Sequence, residues 1–222
     1  MQNRNKPMKT KLDKLLQALN GTKAWHLFLL FVIPYTFLVY VVQEYIYYDP
    51  IFFTGGNENS IGTYRRVYKI IYLLLPFLFY LKFKLLEVFI QLLVGSKNFI
   101  TSDKKALFKL LVAASFVFFI PFVVKIIWFL GFTTSYTMEQ ADTFRFLSLY
   151  QFLADVDGFE GLSFLLKFTN LFQILYFLLV SYGIAQYTTK SFGQSAAIFF
   201  LIYVLPNLAY AVLIYVLKSK AF

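Results

Sequence analysis

Long apolar runs, several of them free of charge, dominate this 222-residue chain and restrict what it can fold into. A run of about 20 apolar residues matches the roughly 30 Å hydrocarbon thickness of a bilayer. A single soluble core cannot bury a chain that is 59% hydrophobic. The sequence therefore predicts an all-α, polytopic membrane bundle of about five transmembrane helices with amphipathic helices on its surface. The predicted spans cover residues 25–46, 67–95, 107–130, 168–189 and 191–217.

The last two predicted spans are separated by very few residues. Only Lys190 interrupts them, next to Ser191 and Gly193, which is enough for a tight turn. We therefore expect an antiparallel helical hairpin. The second span is different, because its later half carries three charges, and its complete crossing stays open at this stage.

The segments outside the spans carry most of the net charge of +10. Residues 1–24 show helical periodicity, with apolar side chains on one face and Lys9, Lys11 and Lys14 elsewhere. This pattern predicts a cytoplasmic, basic amphipathic helix on the inner leaflet, in contact with anionic lipid. Residues 144–153 predict a second surface helix, and residues 218–222 form a short tail. Because the charges flank apolar runs, nucleic acid is not an expected partner.

The distribution of charge predicts the orientation. Lysine and arginine are concentrated in the amino-terminal segment and in the loop that follows the second span, with Lys97, Lys104, Lys105 and Lys109, so both are expected in the cytoplasm. The loop over residues 131–167 is acidic and is expected outside. The amino terminus is then cytoplasmic and the carboxyl terminus extracytoplasmic. Two pairs of residues strain this arrangement, Arg65 with Arg66 and Lys218 with Lys220.

One stretch carries a family resemblance. From Phe83 to Trp128 the chain reads as an apolar helix, the turn Leu93-Val94-Gly95-Ser96-Lys97-Asn98-Phe99, and a second apolar helix whose small residues precede Pro121. This order resembles the middle of the Yip-type integral membrane domain. Residues 171–185 and 191–197 are similar to the closing pair of spans of that family.

The Yip-type resemblance implies five spans, a cytoplasmic amino terminus and a carboxyl terminus outside or in a lumen. Eukaryotic members are associated with small GTPases and vesicle traffic, but their longer cytoplasmic amino-terminal region has no counterpart in this sequence. A GTPase-binding role is therefore not expected. The abundance of Phe, Lys, Ile, Asn and Tyr is typical of an AT-rich genome. We expect a bacterial member of unknown function in the cytoplasmic (inner) membrane.

The residue inventory argues against an enzyme. The sequence has no cysteine and a single histidine, His26, which leaves no zinc set and no partnered nucleophile. Gly55-Gly56 lacks the Gly-Lys-Ser/Thr pattern of a phosphate loop. Residues 155–160 are acidic but lack EF-hand spacing, so helix caps and a solvated turn explain them better than calcium does. No catalytic residue, metal or cofactor is expected.

The candidate functional residues are polar or charged groups within the spans. Charges at membrane depth are costly and usually face water, a partner or one another. Lys84 and Glu87 are one turn apart and can pair, whereas Lys125 is expected to snorkel outward. Alternatively, this part of the second span leaves the bilayer, and the amides form interhelical hydrogen bonds. The candidate cluster comprises Lys82, Lys84, Glu87, Gln91, Asn170 and Gln173.

Two functions fit these observations. The first is a non-catalytic scaffold or accessory subunit that binds other membrane proteins or itself, or organises lipid. The alternative is a small transporter or permease component, for which the candidate cluster would form a polar path.

Overall fold

A computed structural model describes the chain at residues 14, 16, 18, 19, 21–47, 58–101, 103, 105–133, 135–137, 140, 141, 144, 146–148 and 170–219. Most of residues 1–24, including Lys9 and Lys11, and residues 149–169 lie outside this set. The predicted helix over residues 144–153 and the acidic turn over residues 155–160 are therefore not described. Of the described residues in the segment 1–24, Lys14 is exposed and Leu16 is buried against the bundle core.

Helices account for nearly all of the described residues, and no strand occurs among them. Helix α1 is Ala24–Val42, followed by a π turn at Gln43–Tyr47; α2 is Glu58–Val94; a 3₁₀ turn covers Ser96–Asn98; α3 is Ala106–Ala114, with a 3₁₀ turn at Ser115–Phe118; α4 is Phe119–Ile127, with a π turn at Trp128–Phe132; α5 is Leu171–Tyr187; α6 is Phe192–Phe199, with a π turn at Phe200–Val204; and α7 is Leu205–Ser219.

These elements join into helical segments that match the predicted spans in order. The largest difference is at the second segment, which begins at Glu58 rather than at residue 67. Its first residues are polar, so hydropathy places the start too late although the backbone is already helical. The fourth segment is shorter than predicted, beginning at Leu171 rather than residue 168.

Three helical segments are long and apolar enough to cross a membrane: Ala24–Tyr47, Ala106–Phe132 and Phe192–Tyr210. Helix α5 is also apolar but has 17 residues, or about 25 Å at 1.5 Å per residue. Helix α2 is long enough, but the charges Lys82, Lys84 and Glu87 lie in its apolar part. The described part of the chain is thus all-helical, with three candidate membrane spans, and is compatible with an integral membrane protein.

Helix α3 is the centre of the bundle. Eight of its nine residues are buried, and it packs against α1, α2 and α5. A helix that is apolar on every side must be covered by protein or lipid. Here the neighbouring helices cover it, and Leu111 and Val112 have no exposed surface.

A break separates α3 from α4. The Ser115 Oγ donates to the Leu111 carbonyl at 2.8 Å, a contact that bends helices. Pro121 has no N–H to donate and its ring crowds the preceding turn. The 3₁₀ turn at Ser115–Phe118 lies between these two residues, so the third segment changes helical pitch there.

Helices α5 and α6 form the predicted hairpin. They pack side by side, and the turn ends in a capping box, in which the Ser191 side chain accepts from the Gln194 N–H and the Gln194 side chain accepts from the Ser191 N–H. Gly183 on α5 lies directly against α3, because a Cβ at this position would collide with the Leu110 side chain. Close helix approach at small residues is typical of membrane bundles.

The outer surface of the bundle is apolar. Helix α2 exposes large side chains along most of its length, including Leu73 at 81% and Leu92 at 70%. In water such a surface would mark an aggregating protein. In lipid it is the expected exterior, so the surface agrees with the membrane assignment.

Candidate functional site

The six predicted candidate residues do not form one cluster. Lys84, Glu87 and Gln91 line one cleft, whereas Asn170 and Gln173 line another. The two clefts lie at opposite ends of α5, about 25 Å apart at 1.5 Å per residue. Lys82 lines neither cleft, and its amine lies 5.7 Å from the centre of the Tyr203 ring.

The first cleft, here the charged cleft, has a volume of about 620 Å³. It lies between the carboxyl end of α2, the loop that follows and the amino end of α3. Its residues on α2 follow one face at helical spacing. The lining residues are Lys84, Glu87, Val88, Gln91, Ser96, Phe99, Thr101, Asp103, Ala106 and Leu107.

A glycine turn shapes the charged cleft. Gly95 has φ +80°, a left-handed conformation that ends α2 at low steric cost. The Asn98 Nδ2 then donates to the Val94 carbonyl at 2.6 Å. Farther along, the Ile100 N–H donates to the Tyr187 carbonyl at 2.9 Å, which ties the loop to the end of α5. The loop is therefore held beside α2 and brings Thr101 and Asp103 to face it.

Lys84 and Glu87 form the ion pair predicted from their spacing. The Lys84 Nζ lies 2.7 Å from the Glu87 Oε2, and the two side chains are 39% and 5% exposed. A buried carboxylate is costly unless it is paired, and the half-exposed lysine meets that requirement. The Lys84 amine also lies 5.0 Å from the centre of the Phe108 ring. Glu87 and Phe108 thus hold the amine at the wall of the cleft.

A second ion pair, between Asp103 and Lys109, was not predicted. The Lys109 Nζ donates to the Asp103 Oδ2 at 2.7 Å, and the lysine side chain is buried. Lys109 lies inside α3, within the predicted third span, rather than in the loop that precedes it. A buried lysine in the apolar run of α3 needs an anion, and Asp103 of the preceding loop supplies it.

The environment of Asp103 lowers its pKa. Partial burial alone would raise the pKa of this carboxyl. The hydrogen bonds from the Lys109 amine and the Lys105 backbone N–H, together with the charges of both lysines, outweigh burial and hold the pKa below its usual value. Asp103 is therefore an anion at neutral pH.

The second cleft is here called the outer cleft, because it borders the loop that the charge distribution predicts outside, and it has a volume of about 520 Å³. Asn170 caps α5, with its Oδ1 accepting from the Gln173 N–H at 2.8 Å. Lys125, which was predicted to snorkel, places its amine in this cleft. It donates to the Tyr47 hydroxyl at 2.7 Å and to the Ala141 carbonyl at 2.6 Å. The lining residues are Tyr35, Tyr47, Phe118, Pro121, Phe122, Lys125, Phe144, Phe146, Asn170 and Gln173.

Aromatic side chains fill the bundle between the two clefts. Phe31 of α1 has no exposed surface, and its ring lies 5.7 Å from that of Phe83 and 5.4 Å from that of Phe119. Phe83 in turn packs edge-on against Phe108 near the charged cleft. These offset and edge-to-face contacts are favourable aromatic geometries. These rings form an aromatic core around Phe31.

The described residues offer no group of three or more His, Cys, Asp or Glu that could hold a metal ion. His26 is exposed near the start of α1. No family model, no curated protein and no solved structure matches this chain. The resemblance to the Yip-type domain thus depends on the residues that carry it and stays a prediction.

Proposed function

We propose that this chain is a non-catalytic integral membrane scaffold or accessory subunit that binds other membrane proteins. The observation that carries the proposal is the aromatic core around Phe31, which fills the bundle between the charged cleft and the outer cleft. A transporter needs binding groups near the middle of the membrane. A bundle with a packed middle and an apolar exterior is better suited to holding partners along its faces.

The proposal includes five spans with a cytoplasmic amino terminus. Helices α2 and α5 are added to the three candidate spans because of their packing. Gly183 of α5 meets Leu110, and Tyr176, two turns earlier, meets Phe118 at 5.2 Å between ring centres. Helix α5 therefore runs antiparallel to the third segment from one end to the other. Because that segment is a candidate span, we infer that α5 crosses with it. Phe79 and Phe83 support the same inference for α2, since both pack on α1.

The topology is testable because the sequence contains no cysteine. Single cysteines placed at Lys97, Ser135 and Lys190 would be probed in intact cells with a membrane-impermeant maleimide. We expect labelling of the Ser135 variant from outside, and labelling of the other two only after permeabilisation. Labelling of the Lys190 variant from outside would show that α5 does not cross.

The scaffold proposal is tested by photo-crosslinking in native membranes. A photoreactive residue at Leu73 or Leu92 of α2 faces outward, whereas one at Ile90, which has no exposed surface, serves as the matched control. We expect a discrete adduct with another membrane protein at an outward position and none at Ile90. The same protein should co-purify in fixed stoichiometry. Lipid adducts alone would count against a scaffold.

The alternative is a small transporter, favoured by one observation: the charged cleft and the outer cleft indent the bundle from its two ends. Transport would then require the aromatic core to open a path between the charged cleft and the outer cleft. Solute flux through purified protein in vesicles, reduced by Lys84→Met and by Glu87→Gln, would support transport over scaffolding.

A further inference from the structure

We propose that the charged cleft binds the phosphate of an anionic glycerophospholipid from the cytoplasmic leaflet, with one acyl chain lying along α2. The inference depends on the proposed topology, which places this end of the bundle at the cytoplasmic surface. It does not depend on whether the protein binds a protein partner.

The charges of the cleft favour an anion. Its two carboxylates are already engaged, Glu87 by Lys84 and Asp103 by Lys109, both at 2.7 Å. A primary ammonium has three N–H donors, and Glu87 uses one of those on Lys84. The half-exposed Lys84 amine therefore retains donors for a ligand.

Two further lysines lie on the loop that borders the cleft. Lys97 and Lys105 are both exposed, and neither cleft carboxylate takes its ion pair from them. The cleft and its border thus carry more positive than negative charge. Because the excess cations sit at the edge, a headgroup with net negative charge is favoured over a zwitterionic one.

Neutral donors complete the polar part of the site. The Gln91 amide and the Ser96 hydroxyl are on exposed residues of the lining, and the Thr101 Oγ1 accepts from the Asp103 N–H at 3.2 Å, which leaves its own proton to donate. Phosphate and glycerol oxygens are acceptors for such groups. A lysine point charge with neighbouring amide and hydroxyl donors is a common phosphate environment.

An apolar stripe leads away from the charged cleft along α2 and identifies the source of the phosphate. Leu81, Phe77 and Leu74 precede Lys84 in the chain at helical spacing, so they lie on the same face of α2. All three are exposed. The rise from Lys84 to Leu74 is about 15 Å, half of the roughly 30 Å hydrocarbon core. The stripe therefore spans one leaflet below a charged cleft at headgroup depth. A soluble phosphate compound has no acyl chain to contact such a stripe. A lipid can place its phosphate in the charged cleft and its acyl chain along the stripe.

The test is native mass spectrometry of the full chain in detergent, titrated with four lipids that carry the same acyl chains. These are phosphatidylglycerol, phosphatidylethanolamine, phosphatidylcholine and diacylglycerol. We expect phosphatidylglycerol to bind most tightly and diacylglycerol most weakly. Lys84→Met should weaken phosphatidylglycerol binding about tenfold, the usual effect of losing one charge-assisted hydrogen bond.

The matched control is Lys82→Met, which removes the same charge from the same helix two residues away but outside the cleft. It should leave lipid binding within about twofold of the parent. Lys84→Arg keeps the charge and should restore most of the affinity. Thermal unfolding of each variant in the same detergent checks that it is folded, and an unfolded Lys84→Met would be replaced by Gln91→Leu with Thr101→Val.

Three results would overturn the proposal. The first is equal binding of diacylglycerol and phosphatidylglycerol, because the phosphate would then not be recognised. The second is unchanged binding in the folded Lys84→Met variant. The third is displacement of the lipid by glycerol 3-phosphate at equal concentration, which would assign the cleft to a soluble anion. Since none of these measurements involves a protein partner, failure here is distinct from failure of the scaffold proposal.

Discussion

The two ends of the bundle hold their lysines by different contacts. In the charged cleft, Lys84 and Lys109 each contact a carboxylate at 2.7 Å. In the outer cleft, the contacts of Lys125 include a hydroxyl, a backbone carbonyl and the Tyr47 ring, whose centre lies 4.6 Å from the amine. Ion pairs fix a geometry that tolerates little change, whereas neutral oxygens and rings can be exchanged for water near an interface. The charged cleft is therefore the more demanding site, and mutations there should have the larger effects.

The largest effect is expected from breaking the Asp103–Lys109 pair. Asp103→Ala leaves a buried ammonium in α3 and should lower the free energy of unfolding by about 3 kcal/mol, the lower end of the range for one-sided removal of a buried pair. Unfolding in mixed detergent would measure it. Replacing both residues, with Asp103→Ala and Lys109→Met, should recover part of the loss. A double variant that is less stable than Asp103→Ala would contradict this account.

The next largest effect is expected at the contact between α5 and α3. Gly183→Ala places a Cβ into the Leu110 side chain, and such overpacking costs about 1–3 kcal/mol. The matched control is Gly193→Ala on α6, where no atom lies within 4 Å of the added Cβ. The control should be neutral or slightly stabilising, because alanine is the better helix former. Equal thermal stability of the two variants would show that α5 does not pack on α3 as described.

A smaller effect tests whether Asn170, in the outer cleft, acts as a helix cap or as a transport residue. Asn170→Ala should cost about 1 kcal/mol of stability by removing the N-cap of α5, and Asn170→Asp should restore it. Thermal unfolding of both variants measures this difference. If Asn170→Asp is as unstable as Asn170→Ala, the side chain has a role other than capping.

The smallest effect is a pH dependence confined to the charged cleft. The pKa of Asp103 is lower in the folded chain than the usual value near 4. Its ionised form therefore stabilises the fold fully above that value, and the contribution is lost as the pH falls through the lowered pKa. Asp103→Asn should remove this part of the acid sensitivity. The difference in thermal midpoint between the parent chain and this variant should narrow below about pH 4, and a constant difference down to pH 2.5 would contradict the assignment.

The sequence predicted features whose cause is local. Runs without charge gave the order of the helices, the short interruption at Lys190 gave the tight turn between the last two, and Lys84 with Glu87 has the spacing of a helical pair. These depend on neighbours within one turn, so spacing alone carries the information.

Features that depend on tertiary packing were missed. Asp103 precedes α3 and Lys109 lies within it, so their contact depends on how the loop folds back rather than on helical spacing. The candidate cluster was split because α5 runs antiparallel to the third segment, which carries Asn170 to the end opposite Lys84. Polarity identifies such residues, but the direction of each helix decides which of them meet.

Helix α3 is central in the bundle, but its neighbours are synthesised at different times. Its covering helices α1 and α2 precede it, but α5 is made last of its neighbours, after the acidic loop. Until α5 is made, the face of α3 that receives Gly183 lacks this partner. The final hairpin therefore acts as the closing part of assembly, and an interruption of translation before residue 171 would leave an inserted but incomplete bundle.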